Sequence, residues 1–253
     1  MTTERLPPPR LSVIIPAFNE AATIGEIIRR VRATGLATEI IVVDDGSTDD
    51  TALILARLPA DERVPVRVLR HDSNQGKGAA IRSGLAVVTG DLVLVQDADL
   101  EYDPAEYPAL LAPFDDSGVA AVYGSRNLRP NPRSSLSFYW GGRFLSWVAN
   151  RLYGAHLTDE STGYKVVRTS LLREIGLEAR GFEFCPELTG KLLRRGIAIH
   201  EVPVSYQPRS WQEGKKIRWT DGLRAIGTLV RCRFGRLPPG SGPGKTVESR
   251  CPR

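Results

Sequence analysis

The feature that most constrains the fold is a regular alternation of short, β-branched apolar runs with stretches of helical periodicity. Residues 11–16 (LSVIIP) read as a buried strand, and residues 20–33 place Ile24, Ile27, Ile28 and Val31 on one helical face. Residues 39–44 (EIIVVD) are a second strand, after which Asp49 or Asp50 caps a helix running to Leu58. A strand at 66–69, a helix at 77–88 and a strand at 92–95 continue the rhythm. Asp103-Pro104 starts a helix, with proline at its first position, and 119–123 is a further strand. Strands alternating with helices in this way pair in parallel and bury both sheet faces under helices. Beyond Gly124 the rhythm loosens into a proline-rich loop, an aromatic helix at about 137–153 and a strand at 163–167. Two helices and a strand near 197–204 follow.

A chain of 253 residues suits one α/β domain better than two. We expect that domain over residues 11–236, with a basic amphipathic segment at 217–234. The polar, proline-rich residues 1–10 do not read as a signal peptide, and both they and the Pro/Gly/Ser-rich residues 237–253 are expected to be disordered. No stretch reaches the roughly 18 apolar residues that a membrane-crossing helix needs. Three scattered cysteines give no disulfide framework and fit a reducing compartment. A net charge of +5 favours anionic partners, but the arginines are scattered, which argues against nucleic acid.

In open α/β sheets, ligands bind beyond the carboxyl ends of the strands, and the polar residues of this chain gather there. The first strand runs into Pro16-Ala17-Phe18-Asn19-Glu20, the second into Asp44-Asp45-Gly46-Ser47-Thr48-Asp49. The fourth runs into Asp97-Ala98-Asp99-Leu100-Glu101 and the fifth into Gly124-Ser125-Arg126. Two familiar nucleotide motifs are excluded. The Gly76-Lys77 pair lacks the glycine of a P-loop, whose position holds His71, and lacks its hydroxyl residue, replaced by Gly78. The dinucleotide fingerprint fails at Ile81. Two carboxylates at one strand end, Asp97 and Asp99, are costly unless a cation neutralises them. Mg²⁺ and Mn²⁺ take a few carboxylates plus substrate phosphates. Such an ion serves a diphosphate leaving group, on which charge builds as the bond breaks.

Taken in order, Pro16-x-x-Asn19-Glu20, Asp44-Asp45-Gly46-Ser47-x-Asp49, Asn74-x-Gly76-x-Gly78, Asp97-Ala98-Asp99 and Gly124-Ser125-Arg126 resemble the signature series of the family-2 glycosyltransferases. Within that family the chain looks like the dolichyl- and polyprenyl-phosphate sugar synthases, over roughly residues 11–224. The resemblance implies a single α/β domain of the Rossmann-like GT-A type, with a mixed, mostly parallel sheet flanked by helices. It also implies roles. Pro16, Phe18, Glu20, Asp45 and the 74–78 loop with Gly76 and Lys77 would line the base and ribose pocket. Asp97 would hold the nucleotide end and assist the metal, and Asp99 would be the principal ligand. Glu101, where such enzymes often carry Gln, would supply a further oxygen. Arg126 would face phosphate, and Arg209 with Lys215 and Lys216 would form a basic loop closing over the diphosphate. GDP-mannose and UDP-glucose are the donors implied, with inversion of configuration.

A hydroxyl acceptor needs a general base, whereas a phosphate monoester is already anionic at neutral pH. The closest acidic candidates for such a base are Glu183 and Glu187, while Arg133, Arg143 and Arg151 around the aromatic helix suit a phosphate. Trp140, Phe144, Trp147 and Val148, and later Trp219, Leu223, Ile226 and Val230, recur at helical spacing among arginines. That pattern suits packing on the core or a membrane interface. We therefore expect a polyprenyl phosphate acceptor and peripheral contact with the cytoplasmic face of a membrane. The alternatives are a soluble metabolite or growing glycan as acceptor, and a nucleotide-sugar-binding regulatory protein without turnover.

Overall fold

The structure is a computed structural model and describes residues 9–61, 63–132, 136–209 and 219–235. The expectations for residues 1–8 and 237–253, and for Arg133, Lys215 and Lys216, lie outside the described residues.

The strands β1 (Leu11–Ala17), β2 (Ala37–Asp44), β3 (Val66–Arg70) and β4 (Leu92–Val95) pair in parallel in the order β3-β2-β1-β4. β5 (Ala121–Ser125), β6 (Lys165–Arg168) and β7 (Ile199–Pro203) complete a seven-stranded sheet in the order β4-β6-β5-β7. β6 runs antiparallel to both neighbours, and β5 pairs with β7 in parallel. The sheet is thus mixed and mostly parallel. The all-parallel pairing that the alternation implies fails at β6, which follows the long helix at Leu136–Tyr153 and enters the sheet antiparallel between β4 and β5.

Side chains alternate across the sheet with the period of two that a strand imposes. Val13, Ile15, Ile40, Val42, Leu92 and Leu94 enter one core, with the helix α1 (Ile24–Ala33). Ile14, Ile41, Val43, Val93 and Val95 enter the other, beneath α3 (Lys77–Leu85), α6 (Thr169–Ile175) and α7 (Phe184–Arg194). Ile24, Ile27, Ile28 and Val31 of α1 are buried as their spacing requires, each contributing about 1.5–3 kcal/mol of transfer free energy. α1 begins at Ile24, later than the sequence suggests, because residues 20–23 form a turn in which Thr23 and Ile24 donate to the Glu20 carbonyl. α2 (Thr51–Ala56) follows β2. Asp50 stands at its N-cap position without a side-chain cap bond, while Asp49 accepts from the amide and hydroxyl of Thr51. A 3-10 turn at Pro104–Glu106 leads into α4 (Tyr107–Leu111).

The later helices α5 (Leu136–Tyr153) and α8 (Trp219–Phe234) pack against each other beside α7. Much of their apolar surface stays uncovered: Leu136, Trp140, Phe144 and Trp147 on α5 and Leu223, Val230 and Phe234 on α8 are exposed. No helix among the described residues is long and apolar enough to cross a membrane.

Candidate active site

The carboxyl ends of β1, β2 and β4, with the loop before α3, open onto one cavity of about 1300 Å³. That exceeds the 300–1,000 Å³ typical of a single small-ligand pocket and leaves room for two substrates. Pro16, Phe18, Glu20, Asp45, Gly76, Lys77, Asp97, Asp99, Glu101, Arg126, Arg143 and Arg209 all line it, whereas Arg151 does not.

The acidic pair is held by its neighbours. Gln96, fully buried at the end of β4, accepts hydrogen bonds from the hydroxyls of Tyr107 and Tyr164 (2.9 and 2.8 Å), which pins the strand end from which Asp97 projects. Gly163 lies so close that a Cβ there would sit 2.7 Å from Asp97 Oδ2. Leu100 adopts a left-handed φ of 63° directly after Asp99, a conformation costly for a branched side chain. Asp97 forms an ion pair with Lys77, which starts α3. Burial opposes the Lys77 charge, yet Asp97, Cys185 and Asp99 together outweigh it and hold the ammonium protonated.

Burial first, then the negative charges of Asp97 and Glu101, pushes the Asp99 carboxyl up to about 7. A divalent ion held at Asp99 would bind the ionised form, so below about pH 7 it would have to displace a proton. Its affinity should fall by up to about tenfold per pH unit below that point and level off above it. Mn²⁺ titrations from pH 6 to 8 would show this slope, and a flat profile would place the ion elsewhere. No group of three or more His, Cys, Asp or Glu side chains among the described residues could hold a metal by itself. Two carboxylates completed by diphosphate oxygens and water fit the habits of Mg²⁺ and Mn²⁺.

Two of the expected ligands are committed otherwise. Both Glu101 oxygens already accept a hydrogen bond within the protein. Oε2 accepts from the Tyr206 hydroxyl (2.8 Å) and Oε1 from the Arg209 amide (2.7 Å), so its carboxylate anchors the segment after β7. Arg126 is not a free phosphate ligand either. Its guanidinium makes a two-pronged pair with Asp159 (2.7 Å for each contact), reaches Ser161 and packs over the Tyr206 ring. Burial opposes the Arg126 charge, and Asp159 together with Tyr102 and Tyr206 overcomes it. Asp159 is itself fixed through its amide, which donates to Glu201. Arg209 does reach the donor side: its Nε donates to the Asp99 carbonyl (2.7 Å) and both terminal nitrogens to Glu20 Oε2 (3.1 Å). Gly76 and Gly78 serve a close approach, but to protein. A Cβ at either would meet the backbone carbonyls of Arg180 and Ala179 at 2.5 Å.

Glu183 and Glu187 do not line the cavity. Glu187 is buried, accepting from the amides of Glu178 and Ala179 and pairing with Lys191 at 2.7 Å. Sequence reasoning missed Asp159, Glu160, Phe182 and Tyr206, all of which line the cavity. The acidic Asp159-Glu160-Ser161 run before β6 was the available signal for the first two, while Phe182 and Tyr206 carry none outside the fold. Burial raises the Glu160 carboxyl, and both of its oxygens are shut off from solvent.

Fold and site together are those of the GT-A glycosyltransferase class. The chain belongs to glycosyl transferase family 2, whose model matches residues 12–176. Among curated relatives, it is 30% identical over 213 residues to an undecaprenyl-phosphate 4-deoxy-4-formamido-L-arabinose transferase of Klebsiella pneumoniae, covering 83% of this chain and 63% of the relative. It is 28% identical to the dodecaprenyl-phosphate galacturonate synthase of Rhizobium johnstonii, covering 79% of this chain and 59% of the relative. The chain therefore spans about three fifths of the length of these curated relatives. Among solved structures, glucosyl-3-phosphoglycerate synthase from Mycobacterium tuberculosis, in complex with Mn²⁺, uridine diphosphate and glucosyl-3-phosphoglycerate, aligns with a TM-score of 0.69 at 25% identity. That alignment covers 92% of this chain and 82% of that one. Mannosyl-3-phosphoglycerate synthase from Rubrobacter xylanophilus shares the fold, with a TM-score of 0.70 at 24% identity over 88% of this chain and 72% of that one.

Proposed function

We propose that the chain transfers a hexosyl group, with inversion, from a nucleoside diphosphate sugar to a phosphate-bearing acceptor, using Mg²⁺ or Mn²⁺ at Asp97 and Asp99. One observation carries the acceptor class. Of the carboxylates lining the cavity, Glu20, Asp45, Asp97, Glu101, Asp159 and Asp221 are paired with cations or held by hydrogen bonds, and Glu160 is closed to solvent. Asp99 is the ligand of the ion. On this reading no carboxylate that lines the cavity is left to deprotonate a hydroxyl, and a phosphate monoester, with its second pKa of about 6, does not need one.

The bound ion would stabilise the charge that develops on the departing diphosphate. The chain's own residues bind and orient. Lys77 stands at the N-terminus of α3, where backbone amides and the helix dipole favour an anion. Arg209, its amide held by Glu101 and its guanidinium by Glu20 and the Asp99 carbonyl, would bring its charge to the diphosphate while keeping its pair with Glu20. Arg143 lines the acceptor side of the cavity from α5. The sugar passes through an oxocarbenium-like state, as in other glycosyl chemistry.

Within this class the finer reading is a polyprenyl phosphate, reached from the cytoplasmic face of a membrane by peripheral contact. The exposed apolar residues of α5 and α8, which border the cavity through Phe138, Phe144, Leu223 and Ile226, support it. So do the exposed Arg143, Arg151, Arg224, Arg231 and Arg233 alongside them and the lipid phosphates named for the curated relatives. A soluble phosphorylated metabolite is the second reading. It is favoured by the phosphoglycerate glycoside synthases, of one of which this chain covers 82% with the same architecture.

The test is nucleoside diphosphate release from UDP-glucose and GDP-mannose with Mn²⁺, offered a short polyprenyl phosphate, the matching polyprenol, or 3-phosphoglycerate. Release is expected with a phosphate acceptor and not with the polyprenol. Equal rates on phosphate and alcohol would reject the acceptor class, and use of 3-phosphoglycerate alone would select the second reading. Tight nucleotide binding with no transfer to anything would indicate a regulatory protein. Co-sedimentation with vesicles should rise with anionic lipid and fall with salt if the membrane reading holds.

A further inference from the structure

His71 follows β3, and its amide extends the pairing by donating to the Asp44 carbonyl (2.9 Å). Its ring lies between two side chains. Nδ1 is 2.6 Å from Asp45 Oδ1, and Nε2 is 2.8 Å from the Ser83 hydroxyl on α3. The imidazole is 11% exposed and the Asp45 carboxylate 4%. A carboxylate only accepts, so Nδ1 carries the proton and donates to Asp45; in the neutral ring Nε2 then accepts from Ser83. Asp45 is gripped from two further directions, because the amides of Gln75 and Gly76 donate to it at 2.9 and 2.8 Å. Those amides belong to the loop whose Asn74, Gly76 and Lys77 line the cavity. The loop is also tight against the β2 turn. Gly46 has a φ of 74°, and a Cβ there would meet the Ser73 backbone at 2.6 Å.

The order Asp–His–Ser is that of a nucleophilic triad, but neither His71 nor Ser83 lines the cavity. The arrangement acts on Asp45 instead. We propose that His71, oriented by Ser83, is a positioning residue. It fixes the Asp45 carboxylate and, through the Gln75 and Gly76 amides, the shape of the pocket that receives the nucleotide end of the donor. This inference rests on the donor-site reading above.

Three substitutions separate the two faces of the ring. His71→Asn keeps an amide donor where Nδ1 stands, His71→Gln places its amide near Nε2 and leaves Asp45 without its partner, and Ser83→Ala removes only the orienting hydroxyl. Calorimetric titration with UDP and GDP in the presence of Mn²⁺ is expected to show Kd raised about tenfold in His71→Gln, the loss of one hydrogen bond to a charged group. His71→Asn should stay within about threefold of wild type and Ser83→Ala should fall between them. Donor KM should follow Kd, with kcat changed less than about twofold, whereas a merely structural role would move thermal midpoints and kcat together. Amide hydrogen exchange at Gln75 and Gly76 gives a readout without nucleotide, and it should speed up in His71→Gln but not in His71→Asn. Unchanged protection in His71→Gln, or equal losses in the two variants, would overturn the proposal. A wild-type chain that binds neither nucleotide would overturn the donor-site reading, with amide protection still deciding the role of His71.

Discussion

Replacing Asp99 by Asn is expected to cut hexosyl transfer by at least about a hundredfold while making the unliganded chain more stable near pH 8. The loss follows from the proposed metal site: the substitution keeps the shape but removes the charge that would hold the ion there, and Lewis-acid help to a leaving group is worth several kcal/mol. The gain follows from electrostatics. Burial, Asp97 and Glu101 raise the Asp99 carboxyl from 3.8 to about 7. Between those two values the folded chain binds more protons than the unfolded one, so wild-type stability falls as pH rises through that window. The Asn variant has no proton to lose there and should lack that part of the slope. Nucleoside diphosphate release and thermal unfolding at pH 5 and 8 measure both effects. Near-wild-type turnover in Asp99→Asn, or full wild-type turnover in excess chelator, would remove Asp99 from the centre of the mechanism.

The second large effect concerns the Arg126–Asp159 pair at the wall of the cavity. Asp159→Ala should destabilise the chain by about 3 kcal/mol, because removing one member of a buried ion pair strands the other charge. Asp159 is 1% exposed and the Arg126 side chain 24%, so water screens little of that loss. In a domain of this size the midpoint should drop by roughly 6–12 °C. The double variant Arg126→Met, Asp159→Leu should recover much of the stability, since well-packed apolar groups replace buried pairs at little cost. Denaturant titration of the two variants is the measurement. A change below about 1 kcal/mol in Asp159→Ala would mean that Arg126 finds another partner, and phosphate would then be the first to consider.

The residues at the strand ends were legible in the sequence because local rules suffice to place them. Residues 11–16 and 39–44 are strands by composition, α1 shows its buried face in the spacing of Ile24, Ile27, Ile28 and Val31, and a parallel α/β sheet gathers its carboxyl ends on one edge. Asp45, Asp97 and Asp99 therefore fall into one cavity with no long-range information. The part played by each charged side chain is a different matter. Glu101 and Arg126 sit where the motif puts them, but their charges are spent on Tyr206 and Arg209 and on Asp159, partners 105, 108 and 33 positions away in the chain. His71, which in sequence only spoils a P-loop, becomes the brace of Asp45 once β3 lies beside β2. Helix and strand periodicity is a property of neighbours a few residues apart, so the sequence by itself determined the parallel strands β1 to β4, the cavity edge and the acidic pair, while the antiparallel insertion of β6 was decided by the tertiary structure. Ion pairs in a buried site join whatever carboxylate and cation the packing brings within about 3 Å, so the tertiary structure alone decided which charges remain for substrate.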